Sequence, residues 1–157
     1  MTTLEILNKT PFDNFDIHRY LGKNIKILKD KDIKDYKNID QLFPLDDVCV
    51  ILIEEINNIG HWVCLLKYPD YYEYFDSLGD KPNKIISSLL YRANKKIIYN
   101  AFKLQNSKTA NCGKFCVIRI LYKDVNYITF INLLKYLKKR TKLSYDDICS
   151  AILNNYI

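Results

Sequence analysis

Between residues 48 and 79 the runs VCVILIEEI, HWVCLLKY and YYEYFDSLG are rich in β-branched, aromatic and other apolar residues. Short turn sequences, NNIG and PD, part them. Such residues suit a pleated, half-buried surface, and connections this short join antiparallel neighbours. The spacing therefore predicts a three-strand meander in the middle of a sheet, the third strand ending in a turn at SLG, with helices packed on its sides.

The flanks read as helices and loops. Asn14 precedes FDIHRYLGK as the cap of a short helix ending near Gly22, whereas 24–47 is charged and weakly periodic, which predicts loops with at most one short helix. Pro82 suits the first turn of a helix over PNKIISSLLYRANKK, whose Ile85, Ile86, Leu89 and Leu90 share a face, and IIYNAFKLQ returns to strand character. After the polar NSKTA, Asn111 is placed to cap a helix from Cys112 to about Tyr122. That helix is apolar almost all round, the pattern of a buried helix. Helices at about 127–140 and 144–155 close the chain, the latter with Ser144 and Asp147 in a capping-box pattern. The expectation is an α+β fold: a mixed central sheet flanked by helices, with a buried helix led by Cys112. At 157 residues and 48% hydrophobic content, one domain spanning 1–157 accounts for the length.

Composition narrows the function classes. The longest apolar stretches, at 48–53 and 115–121, fall short of the roughly 20 residues of a bilayer span, and no export or organelle signal is visible in MTTLEILNKTPFDNFD, so a soluble cytosolic protein is expected. The net charge of +6 permits non-specific DNA binding, and KYLKKRTK at 135–142 is the densest basic cluster. Most of the basic residues are Lys amid abundant Asn, Ile and Tyr, a bias that an AT-rich genome explains first. Cys49, Cys64, Cys112, Cys116 and Cys149 are odd in number and include no CxxC pair, which predicts free thiols in a reducing compartment and no zinc site.

Placement separates the two close thiols. Cys112 falls at the head of its helix, where unpaired N–H groups and the positive end of the macrodipole favour a thiolate, while Cys116 lies one turn further in among core residues. Gly113 fits close approach by a substrate backbone. A thiol nucleophile needs a base, and the base needs an orienting group. Of the two histidines, His18 reads as a surface residue, and His61 opens a predicted strand beside Trp62, the lone tryptophan. Asp76 ends the neighbouring strand, where antiparallel pairing would bring it to His61; its alternative is an ordinary Asx turn into SLG. Gln105 offers a side-chain amide that, with backbone N–H groups at the helix head, could face an oxyanion; its alternative is a polar loop residue.

Taken in order, GHWV, YFDSLG, LQ and NCGKFC resemble the adenovirus-type and ubiquitin-like-protein-processing cysteine proteases, which share a fold. The wording GHWVCLLKYPDYYEYFDSLGDKP and IIYNAFKLQNSKTANCGKFC looks most like the adenain-like proteases of virophages and of large self-replicating DNA transposons, over about residues 40–122. The resemblance implies His61 as general base, Asp76 as its orienting acid, Cys112 as nucleophile, Gln105 as oxyanion donor and Trp62 packed beside the site. It implies no cofactor. No cysteine occurs from 77 to 111, so the disulfide-linked peptide activation of the adenovirus enzyme is not implied here. The expectation is a thiol endopeptidase that trims capsid or other virion precursors, in the host cytoplasm at the virus factory and in the virion. One alternative is removal of ubiquitin-like modifiers; another, of a different class, is a non-enzymatic basic DNA-binding protein, whose binding would weaken with salt and ignore changes at His61 or Cys112.

Overall fold

A computed structural model describes residues 1–43, 45–56 and 59–155. Within these residues five strands form one sheet in the order β1 (Lys26–Lys29), β2 (Val48–Ile56), β3 (Ile59–Lys67), β4 (Tyr71–Phe75) and β5 (Lys96–Tyr99). The β2–β3 and β3–β4 pairs are antiparallel, and the outer pairs are parallel, β1 on β2 and β5 on β4. This is the expected mixed sheet, with the meander at its centre. Asn57 and Asn58 of the predicted NNIG turn lie outside the described residues.

Among the described residues six α-helices flank the sheet: α1 (Thr3–Lys9), α2 (Asn14–Leu21), α3 (Lys84–Tyr91), α4 (Cys112–Leu121), α5 (Tyr127–Thr141) and α6 (Tyr145–Leu153). Alternation along the strands sends Val50, Leu52, Trp62, Cys64 and Phe75 into a core shared with Phe115, Val117, Ile118, Phe130 and Ile148 of α4 to α6. The opposite parity, Cys49, Ile51, Val63, Leu65, Tyr72 and Tyr74, packs on Ile86, Leu89 and Leu90 of α3 and on Ile33, Ile39 and Leu42. Burial of each such side chain is worth about 1.5–3 kcal/mol, so both faces of the sheet contribute.

Several boundaries differ from the sequence reading for local reasons. Residues 24–47 hold an edge strand and two 3-10 turns, Asp30–Asp35 and Ile39–Leu42, instead of loops. Asp13, not Asn14, caps α2, in a reciprocal capping box with Asp16. Asn83 caps α3 and leaves Pro82 just outside it. The unexpected α1 starts at its own box, Thr2 with Glu5. Asn111 stands at the cap position of α4, yet its side chain makes no cap hydrogen bond. Its amide donates instead to Asn8 Oδ1 and Asp146 Oδ1, both at 2.9 Å, because α1 and α6 present buried acceptors there.

Candidate active site

β3 outruns β4 at one end. Their pairing covers Cys64 to Lys67 only, so His61 stands on an extension of β3 paired with β2 alone. Asp76 follows β4 directly, where the chain leaves the sheet. Its Oδ1 accepts from His61 Nε2 at 2.7 Å and from the Leu78 backbone N–H at 2.8 Å. The Asx turn and the contact with histidine therefore coexist, and the turn orients the carboxylate. The Gly79 N–H donates to the Asp76 carbonyl at 2.9 Å, and Gly79 has a φ of 74°, a conformation that glycine adopts without strain.

The imidazole and the thiol of Cys112, at the head of α4, lie near enough to shift each other's titration. With Nε2 held by Asp76, Nδ1 is the ring nitrogen left for the sulfur. Burial disfavours the charged ring, but the hydrogen bond to Asp76 and the proximity and charges of Asp76 and Cys112 raise the His61 pKa to about 10. Burial likewise opposes the Cys112 thiolate; the nearby His61 ring, the charge on it, and N–H groups of Trp62 and Gly113 outweigh that and pull the thiol below its ordinary value. Cys116 and Cys149 are wholly buried and pushed well above the usual thiol range. Only Cys112 combines partial exposure with a lowered pKa among the described cysteines.

His61, Trp62, Leu78, Gln105, Thr109 and Cys112 line one cleft of about 950 Å³, together with Phe12 and Phe15 at the start of the chain. Gln105 is buried; its Oε1 accepts from Ser77 Oγ at 2.7 Å and its Nε2 donates to the Thr109 carbonyl at 3.1 Å. The Ser77 carbonyl in turn accepts the backbone N–H groups of Leu104 and Gln105. Thus Gln105 is pinned to the same turn that carries Asp76. Trp62 Nε1 donates to the Phe12 carbonyl at 3.0 Å, and the indole covers α4 at Gly113. A Cβ on Gly113 would come within 3.0 Å of both Trp62 Cδ1 and Phe12 Cβ, so the space its missing side chain creates is filled by these residues. Gly113 itself, which the sequence reading fitted to close approach by a substrate backbone, is buried beneath these two side chains.

His18 lies elsewhere, its Nδ1 against the Gly22 carbonyl at the end of α2. Phe12, Ser77, Leu78 and Thr109 were not foreseen; apart from the Ser77 hydroxyl, their contributions to the site are backbone groups and packing, which residue type does not advertise. Among the described residues no group of three or more His, Cys, Asp or Glu is placed to hold a metal, and no helix is long and apolar enough to cross a membrane.

No protein-family model matches the chain. Over 173 residues it is 31% identical to "Uncharacterized protein V9" of Sputnik virophage, covering 96% of this chain and 91% of that one. Its fold is similar to that of the ASFV pS273R protease, with a TM-score of 0.56, 17% identity, and coverage of 92% of this chain and 67% of that chain. The selenomethionine form of that protease gives 0.54 and 16% over 92% and 68%. At such identities the likeness is one of fold.

Proposed function

We propose for this chain, which belongs to the same family as protein V9 of Sputnik virophage, the activity of a viral thiol endopeptidase, carried by a single domain and acting on protein substrates. One observation carries the reading: Asp76 is hydrogen-bonded to His61, and His61 and the Cys112 thiol stand close enough to shift each other's titration at the wall of one open cleft. The shared fold with the ASFV pS273R protease adds support. So do the order and wording of GHWV, YFDSLG, LQ and NCGKFC, which resemble the adenain-like proteases.

The opposed shifts of His61 and Cys112 favour a resting imidazolium and thiolate. The thiolate attacks the scissile carbonyl carbon, forming a C–S bond while the carbonyl oxygen takes the negative charge. Gln105 spends one Nε2–H on Thr109; its second N–H, with backbone N–H groups at the head of α4, holds that oxygen. Collapse breaks the C–N bond as the imidazolium passes its proton to the leaving amine. Water then attacks the thioester, and neutral His61 accepts a proton from it. A second collapse expels the thiolate, His61 keeps its proton, and the acid product releases its own to solvent.

The substrates in this reading are capsid or other virion precursors, cut in the host cytoplasm during particle maturation. Purified protein is incubated with structural precursors from the same genome. Wild type should produce discrete fragments that Cys112→Ala does not; identical patterns overturn the proposal. Covalent capture of Cys112 by a ubiquitin-like vinyl-sulfone probe, without precursor cleavage, would reassign the site to deconjugation.

A further inference from the structure

Residues 105–112 connect the two groups on which the proposed chemistry depends, the Gln105 amide and the Cys112 sulfur, yet they form no regular structure before α4 begins. One buried carboxylate touches this loop at three points. Asp146, in the first turn of α6, is only 4% exposed. Its Oδ2 accepts the backbone N–H of Asn106 at 2.8 Å, directly after Gln105. Its Oδ1 accepts from Thr109 Oγ1 at 2.6 Å and from Asn111 Nδ2 at 2.9 Å. Thr109 is the residue whose carbonyl receives the Gln105 amide, and Asn111 directly precedes Cys112.

We infer that Asp146 is a positioning residue: from the C-terminal helix it holds the loop so that the Gln105 amide faces the oxyanion site. The inference rests on the protease reading for its catalytic consequence. Among the described residues the donors to Asp146 are neutral groups, and hydrogen bonds to a charged acceptor are roughly twice as strong as neutral ones. A buried carboxylate without an ion-pair partner is costly unless it is saturated with such donors. Here the loop supplies them, so the loop conformation and the carboxylate stabilise each other. Behind it, Ser150 Oγ donates to Asn8 Oδ1 at 2.7 Å, and the Asn8 carbonyl receives the Ala110 N–H at 2.8 Å. This ties the far end of the loop to α1.

The test uses Asp146→Asn, which preserves shape but turns an N–H₂ toward the donors, and Thr109→Val, a milder change that removes one of the three bonds. In the full-length protein the side-chain amide resonances of Gln105 are compared by NMR. Both variants should move them toward free-glutamine shifts while helix content stays unchanged; unmoved resonances overturn the inference. In cleavage assays Asp146→Asn should lower kcat about tenfold, with KM within about twofold, as loosening of an oxyanion donor would. The rate of Cys112 alkylation should not change. In a Gln105→Ala background the Asp146→Asn effect should vanish; full persistence there would mean that Asp146 acts only as a structural pin. If wild type cleaves nothing, the protease reading fails, and the amide spectrum still decides whether Asp146 holds Gln105.

Discussion

His61 owes its raised pKa to Asp76 and Cys112, and Cys112 its lowered one to His61 and nearby backbone N–H groups, with burial acting against both charges. The raised His61 pKa keeps the imidazolium present up to about pH 10, and the lowered thiol pKa makes the thiolate available from below its ordinary range. Because the groups interact, the two limbs of the pH profile belong to the pair. Alkylation of Cys112 by iodoacetamide should therefore begin at a lower pH than for a free thiol. In His61→Ala the onset should move upward, since burial remains and the compensating charge is gone; an unmoved onset would dissociate the two groups. Asp76→Asn should lower kcat about 100-fold and bring the alkaline limb of kcat/KM down from near pH 10, because the charge that holds the proton on His61 is lost. Gly113→Ala drives a methyl onto Trp62 and Phe12. It should cost about 1–3 kcal/mol in urea unfolding.

At the scale of elements, the β2–β3 hairpin decides where His61 stands. A Cβ on Gly60 would lie 1.9 Å from the Ile53 carbonyl oxygen and 3.0 Å from Glu54 Cα, on the strand paired with it. Backbone cannot yield as a side chain can. Gly60→Ala should force the strand ends apart at a cost of about 3 kcal/mol or more, the upper part of the overpacking range, and shift His61 relative to Asp76. Amide hydrogen exchange that is faster in β2 and β3 than in β5 would report the separation; uniform protection would refute it. The turn after β4 serves the site in a different way. Leu78 and Gly79 fold back on Asp76, Ser77 holds Gln105, and Asn100 Nδ2 donates to the Asp76 carbonyl, so one turn carries several ties to the site.

Across the whole molecule, a buried ion pair joins the sheet to the helix that bears Cys112. Arg119 of α4 and Glu73 of β4 are fully buried and bonded through Nε to Oε2 at 2.8 Å and Nη2 to Oε1 at 3.0 Å. Arg119 also donates to the Tyr122 and Val125 carbonyls and to the Tyr68 hydroxyl, which closes the end of α4. Arg119→Met leaves Glu73 charged and unpaired and should cost about 3–5 kcal/mol by urea unfolding. Adding Glu73→Leu should recover part of the loss and not all, because the Tyr122 and Val125 carbonyls still lack their donor. Full recovery would show those carbonyls to be satisfied without Arg119.

How much of this could be read without three dimensions depended on the range of the forces involved. The meander, α4 to α6 and the candidates His61, Asp76, Gln105 and Cys112 were legible, because alternation, helical spacing and turn chemistry are local, and the order of motifs carried the resemblance. The edge strand at Lys26–Lys29 was not, since a short charged strand is stabilised by its neighbour and not by its own pattern. Asn111 looked like a cap and became part of a polar cluster, and Gly113 made room for two aromatic groups far away in sequence. Asp146, which no local pattern singles out, reaches back 40 residues from the first turn of α6 to the loop before Cys112. Local chemistry chose the segments and the candidate side chains. Folding chose their partners, because hydrogen bonds and close packing act over a few ångströms in space whatever the separation along the chain.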